Sequence, residues 1–257
     1  MTEDTRDLAV AIRGLYKHFG QVPAVNGVDL DVRRGSFFGL VGPNGAGKTT
    51  TLAMVTGLLR PDAGVAWVAG FYVWSDPVEA KRRMGILPEG LRLFDRLSGR
   101  ELLLFSGALR GMDPDEVATR ADELLDVFEL REASGQLVAD YSTGMRKKIG
   151  LAVALLHNPP VLFLDEPFEA VDPISARTIR EVLAAFTARG GTVVFSSHVM
   201  ELVERLCDEV AVMIAGRIVA AGPLGELTAG RSLDEVFIGL AGRTGDRRSA
   251  LTWLDGG

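Results

Sequence analysis

The apolar positions of this chain follow two rhythms. Short apolar or alternating runs have the length and β-branched content of strands: LAVAI from Leu8, VDLDV from Val28, SFFGLV from Ser36, VAWVAG from Val65, MGIL from Met84, VLFLD from Val161, TVVFS from Thr192 and VAVMI from Val210. Between Leu87 and His157 helical spacing takes over. Helix starts are marked by Ser98 with Glu101 and by Asp113-Pro114 with Glu116, and earlier by Asp76-Pro77 with Glu79, all of capping-box form. Ser142 is a good N-cap for a helix through IGLAVALL. Asp172-Pro173 supplies an N-cap and a first helical residue for a helix expected to reach Arg189 and stop at Gly190-Gly191. A hairpin at Ala215-Gly216-Arg217 and a last helix around SLDEVFIGL follow. The pattern predicts an α/β core interrupted by a helical insert at roughly residues 90–155.

Composition narrows the class. With 257 residues, 47% hydrophobic and 24% charged, the chain can bury a sizeable core as one globular domain with two lobes. A formal net charge of −6 argues against wholesale nucleic-acid binding. The single Cys207, inside ELVERLCDEV, excludes an internal disulfide, agrees with a reducing compartment and reads as buried packing. The start MTEDTRD is polar and acidic, without the apolar core of a signal peptide, and no run of about eighteen apolar residues could cross a bilayer. From Ala241 the chain is rich in Gly and Arg and is expected to be a loose tail with Trp253, Leu251 and Leu254 as its apolar groups.

The chemistry begins after SFFGLV, at Gly42-Pro43-Asn44-Gly45-Ala46-Gly47-Lys48-Thr49, followed by Thr50 and a helical run. Strand, glycine turn and helix are the context a GxxxxGK[ST] phosphate loop requires. Glycines let the backbone wrap a polyphosphate, with the amides from Gly45 to Thr49 and the helix N-terminus turned toward negative charge. Lys48 would hold the β- and γ-phosphates, and Thr49 would ligate Mg²⁺. Farther on, VLFLD is a strand buried on both faces that ends in Asp165-Glu166-Pro167. Asp165 is expected in the Mg²⁺ shell and Glu166 at the attacking water. Ser142, with a hydroxyl, and Gly144, with an unshielded amide, stand at a helix start and suit an anionic phosphate, although Ser142 is equally a cap. The basic clusters Lys81-Arg82-Arg83 and Arg146-Lys147-Lys148 read as solvated helix faces, with Arg146 near enough to phosphate to help.

Together the phosphate loop, YSTGMRKK and VLFLDEP resemble the nucleotide-binding subunits of ABC transporters, over nearly the whole chain from about Leu8 to Leu240. The resemblance implies a P-loop NTPase of ABC ATPase type: a RecA-like α/β core, an antiparallel β lobe and an inserted helical subdomain. Residues 1–240 would be one nucleotide-binding domain and 241–257 a tail. It implies ATP and Mg²⁺ as cofactors, Glu166 and Lys48 as catalytic groups, and His198 as the switch histidine that touches γ-phosphate and leans on Glu166. Phe19 would stack on adenine with Val25 beneath it. Ser142 and Gly144 would read the phosphate of a second, head-to-tail copy, so that two ATP molecules are sandwiched. Glu169-Ala170-Val171-Asp172 falls at the loop that couples the two halves, with an acid at its first position where small polar residues are usual. Glu89 stands where the family most often has glutamine; a carboxylate there can still accept from water and ligate Mg²⁺. His18 and His157 lack such a context and read as structural.

GPNGAGKTT, LPE and YSTGMRKK look most like ATPases that pair with small export-type, ABC-2-like permeases for drugs and antibiotics. An integral membrane permease and a second ATPase subunit are thus the implied partners, nucleic acid is not, and the implied place is the cytoplasmic face of the cell membrane. The alternative is a soluble ABC ATPase driving a non-transport assembly such as a cofactor-cluster scaffold.

Overall fold

The computed structural model describes residues 8–242, so the acidic start and most of the expected tail, Trp253 included, lie outside the described residues. Along the chain β1 (Leu8–Phe19) and β2 (Val22–Arg33) form a hairpin, and β3 (Phe37–Val41) leads through the phosphate loop into α1 (Lys48–Val55). After β4 (Ala63–Val68), β5 (Phe71–Tyr72), α2 (Pro77–Arg82) and β6 (Met84–Leu87) comes the helical insert: α3 (Gly99–Leu109), α4 (Pro114–Val127) and α5 (Thr143–Leu155). The rest alternates: β7 (Val161–Asp165), α6 (Pro173–Ala188), β8 (Thr192–Ser197), α7 (Met200–Leu206), β9 (Glu209–Ile214), β10 (Arg217–Pro223), α8 (Leu224–Thr228) and α9 (Leu233–Ala241).

Two sheets result. One is four-stranded and antiparallel in the order β2-β1-β4-β5; the other is six-stranded in the order β10-β9-β3-β8-β7-β6, parallel except for β10. Every residue of β3, β7 and β8 is buried, which is what helices or a second sheet on both faces require. The period of two sorts neighbours to opposite sides. Phe37 and Val41 of β3 join Leu162, Leu164 and Phe195 in a core shared with Leu103, Leu125 and Phe128 of the insert and Ile179 and Leu183 of α6. Phe38 and Leu40 join Phe163, Val194 and Ala211 against α1 and the antiparallel sheet. Each such side chain contributes about 1.5–3 kcal/mol by leaving water, so β3 is the rib on which both cores hang.

The caps hold unevenly. Ser98 and Glu101 form a complete capping box. Asp113 accepts from the amides of Asp115 and Glu116, but the Glu116 carboxylate pairs with Arg120 instead of closing a box. At Asp76 the expected cap is absent: its carboxylate accepts from the Ser75 hydroxyl, and Glu79 is taken by Arg82 and Arg83. α6 follows expectation, with Asp172 accepting from the amides of Ile174 and Ser175, Pro173 first, and Arg189 as C-cap. The N-terminal hairpin runs longer than LAVAI and VDLDV foretold. β1 continues past Gly14 at φ +54, where the register shifts and the Gly14 amide donates to Asp29. Such a bulge carries a strand through polar sequence. Cys207 is buried, as expected, but caps α7 rather than lying within it; burial pushes its thiol pKa up.

Candidate functional site

The phosphate loop is shaped by backbone pressing on it from behind. A Cβ on Gly42 would stand 2.2 Å from the Met213 carbonyl oxygen, and one on Gly47, at φ +105, 2.3 Å from that of Ala24. Only glycine fits either place. The turn joining β9 to β10 adds a hydrogen-bonded strut: the Gly216 amide donates to the Ala46 carbonyl at 2.9 Å, and the Asn26 amide donates to the Gly216 carbonyl at 2.8 Å. Ala215 and Gly216 both have positive φ, the backbone a tight two-residue hairpin turn needs. Lys48, 6% exposed, donates to the carbonyls of Gly42 at 2.8 Å and Pro43 at 3.3 Å. Its ammonium is thereby folded over the loop, 3.6 Å from Glu166 Oε1.

The acids arrive at the ends of neighbouring strands. Asp165 closes β7 and Glu166 lies one residue beyond; Ser196 belongs to β8 and His198 lies one residue beyond that. The Ser196 hydroxyl donates to Asp165 Oδ1 and accepts from the Glu166 amide. His198 Nδ1 is 3.0 Å from Glu166 Oε1. Glu166 itself has φ +45, a conformation rare for a residue with a side chain. Burial holds the Asp165 carboxyl above the usual carboxylate range; hydrogen bonds from Ser196 and Thr49 pull it down, and the nearby Glu89 adds to the rise. Thr49 Oγ1 donates to Glu89 Oε2 at 2.9 Å. A hydroxyl and two carboxylates are hard oxygen donors suited to a divalent cation. Among the described residues no group of three or more His, Cys, Asp or Glu could hold a metal alone. A Mg²⁺ ion at Thr49, Asp165 and Glu89 therefore fits as one that shares its shell with phosphate oxygens and water.

These groups border a cleft of about 320 Å³ lined by Phe19, Ala24, Asn44, Gly45, Ala46, Gly47, Lys48, Thr49, Thr50, Glu89, Glu166, Glu169 and His198. An adjoining one holds Asp165 with Thr49 and Glu89. Phe19 stands at the rim, 54% exposed, with Lys17 Nζ 6.0 Å from the centre of its ring. Val25 is placed differently from the expectation. It is wholly buried in the core, and its neighbour Ala24 lines the cleft, because alternation along β2 turns only one of the two outward. Gly42 is buried and Pro43 is exposed on an adjoining pocket with Asn44 and His198; neither lines the cleft itself, and both act through their carbonyls on Lys48. Ser142 and Gly144 stand apart from it, at the start of α5. The Ser142 hydroxyl caps the helix through the Met145 amide, and a Cβ on Gly144 would meet Asp172 and Ser175 at 2.7 Å, so the glycine also permits close packing on α6.

The cluster Arg146-Lys147-Lys148 is not a solvated face. Arg146 donates to the Val138 carbonyl and pairs with Asp95, which fixes it within the insert rather than at a phosphate of the cleft. Lys148 is 5% exposed and pairs with Glu129. Lys147 donates to the Glu166 carbonyl at 2.8 Å. Sequence reasoning passed over Ser196 and Lys147. The Ser-Ser-His run was a signal for the first, whereas nothing in a run of three cations distinguishes the second. Lys81 and Arg82 are exposed, while Arg83 lies over the Phe71 ring at 3.8 Å. His157 sits at the end of the insert with Nε2 3.1 Å from the Met84 carbonyl, a structural place.

A sequence model of the family described as "ABC transporter" matches residues 25–169. The chain is 38% identical over 226 residues to the daunorubicin/doxorubicin resistance ATP-binding protein DrrA of Streptomyces peucetius, covering 88% of this chain and 68% of that one. It is 36% identical over 208 residues to the linearmycin resistance ATP-binding protein LnrL of Bacillus subtilis, covering 81% and 67%. Among solved structures, an ATP-binding subunit of an ABC transporter superposes with a TM-score of 0.84 at 29% identity, over 91% of this chain and 99% of that chain. An ATP-binding cassette solved as a dimer in a post-hydrolysis state with ADP and Pi has a TM-score of 0.77 over 84% and 98%; at 23% identity that likeness speaks for the fold alone.

Proposed function

The chain belongs to the ABC transporter family as an ATP-binding, ATP-hydrolysing subunit, and from that premise we propose that it powers a separate membrane permease that exports drugs or other small lipophilic molecules. The observation that carries the catalytic assignment is the convergence at Glu166 Oε1, 3.6 Å from Lys48 Nζ and 3.0 Å from His198 Nδ1. Three motifs far apart in sequence meet at one oxygen.

The roles follow from position. Loop amides and the start of α1 receive phosphate oxygens, and Lys48, already bent over the loop, neutralises the β- and γ-phosphates. Phe19 offers its exposed ring to the adenine. Thr49, Asp165 and Glu89 would hold Mg²⁺, which when bound offsets the charge of the phosphates. Glu166 orients the attacking water and accepts its proton at a carboxylate oxygen steadied by His198. Positioning and fixed charge supply most of what phosphoryl transfer needs.

Ser142 and Gly144 lie off the cleft of their own chain and are assigned to the γ-phosphate of a second copy arranged head to tail. No helix among the described residues is long and apolar enough to cross a membrane, which agrees with peripheral attachment to the cytoplasmic face through a permease. The resistance names of the relatives favour export over a soluble assembly role. The test is ATP hydrolysis with the permease partner present. Glu166→Gln is expected to bind ATP like the parent, to accumulate as ATP-bound dimers, and to turn over at least about a hundredfold more slowly, the scale of general-base catalysis. Full activity in that variant removes Glu166 from the role.

A further inference from the structure

Lys147 is the cation of the site that no motif accounts for. It lies on α5, the helix capped by Ser142, and is half-buried. Its Nζ donates at 2.8 Å to the main-chain carbonyl of Glu166, which also accepts from the Glu169 amide at 3.2 Å. The Glu166 amide is occupied too, donating to the Ser196 hydroxyl at 3.0 Å. Glu166 is thus held by side chains at both its amide and its carbonyl while keeping φ +45, where side chains are rarely found. A residue in that region stays there only if its surroundings fix it, and its side-chain direction is set by the backbone. A second contact ties the same two segments: a Cβ on Gly144 would stand 2.7 Å from the Asp172 carboxylate and from the Ser175 hydroxyl. The start of α5 and the stretch from Glu166 to Ser175 are therefore clamped at two points.

We propose that Lys147 is a positioning residue for hydrolysis: by gripping the Glu166 carbonyl it aims the Glu166 carboxylate at the water, and it makes the start of α5 and the hydrolytic acid of the same chain move as one piece. Burial lowers the Lys147 pKa, and the negative charges of Glu169, Asp165, Glu166 and Glu89 offset part of that. If Ser142 and Gly144 touch the phosphate of a second copy, Lys147 is the link by which that contact reaches this chain's own Glu166. The inference rests on the hydrolytic role given to Glu166 above.

The experiment is a double-mutant cycle in the full chain with its permease. Lys147→Met is expected to lower kcat about ten- to hundredfold, the cost of a displacement of about 1 Å at a reacting group, with KM for ATP within about twofold of the parent. In a Glu166→Gln background the same change should leave the single-turnover rate unaltered, because the residue acts through Glu166. Equal losses in both backgrounds, a change in KM alone, or parental kcat in Lys147→Met overturns the proposal. Lys147→Leu, which likewise has no donor, carries the same test if the methionine variant does not fold. Full turnover in Glu166→Gln alone would instead sink the hydrolytic assignment on which it stands.

Discussion

His198 Nδ1 lies 3.0 Å from Glu166 Oε1, joining the residue just past β8 to the residue just past β7. The imidazole is more than a third exposed and the carboxylate nearly buried. His198→Ala should leave nucleotide affinity within a few-fold and cut turnover by about ten- to hundredfold, less than loss of the acid itself. Steady-state hydrolysis and nucleotide titration on the same preparation check this. Lost affinity with unchanged turnover would place His198 in ground-state binding only.

Glu89 is exposed, and its carboxylate accepts from the Thr49 hydroxyl at 2.9 Å. A carboxylate beside a triphosphate is unfavourable, since like unit charges about 4 Å apart near a surface repel by about 4 kcal/mol. A divalent cation between them reverses the sign. Glu89→Gln should therefore be mild, because the amide oxygen still ligates, whereas Glu89→Ala should demand more Mg²⁺ and lose permease stimulation more than basal binding. Coupled ATPase activity against Mg²⁺ concentration for the three proteins decides the matter. An alanine variant identical to the parent in both respects would leave Glu89 without a role.

Ser142 and Gly144 stand off the cleft of their own chain, and complementation tests whether they serve another. A Lys48→Ala chain mixed with a Ser142→Arg chain forms heterodimers with one intact composite site and one doubly damaged site. ATP-driven association should return in the mixture and be missing from either variant alone. Hydrolysis by a monomer at a specific rate independent of protein concentration would contradict the shared site.

His157 supplies a pH dependence. Burial, with the nearby positive charge of Arg110, pulls its pKa from 6.5 to about 4, against the hydrogen bond to Met84. Nδ1 is buried without a partner, so the neutral ring fits and the charged ring does not. The folded state therefore binds fewer protons than the unfolded chain between these values. The stability is fully present above the unfolded pKa and is lost as pH falls toward the folded one, by at most about 3 kcal/mol. Urea unfolding of the parent and His157→Gln at about pH 5 and about pH 7.5 should show a smaller loss in the variant. Equal losses in the two proteins would clear His157 of this part.

Much of this site could be read before any coordinate, because each piece is contiguous. Lys48 and Thr49 sit in one loop, Asp165 and Glu166 at one strand end, and His198 after the next apolar strand. What escaped notice depends on contacts across the fold. Ala24 and Val25 are adjacent on β2, and only strand pairing decides which of them meets the cleft. Glu116 belongs to a capping-box spacing, yet Arg120 one turn on takes its carboxylate. Lys147 and Lys148 are chemically alike, but one faces Glu166 and the other Glu129. β5, two residues long, is a strand only because β4 is beside it.

The strut through Gly216 has a mechanical meaning. By bonding to Ala46 on one side and Asn26 on the other, it welds the hairpin that bears Phe19 to the loop that bears Lys48. The groups meant for the adenine and for the phosphates thus belong to one stiff jaw, whose gap is set when the chain folds and not when a nucleotide arrives. A bound nucleotide is carried by that jaw as a passenger.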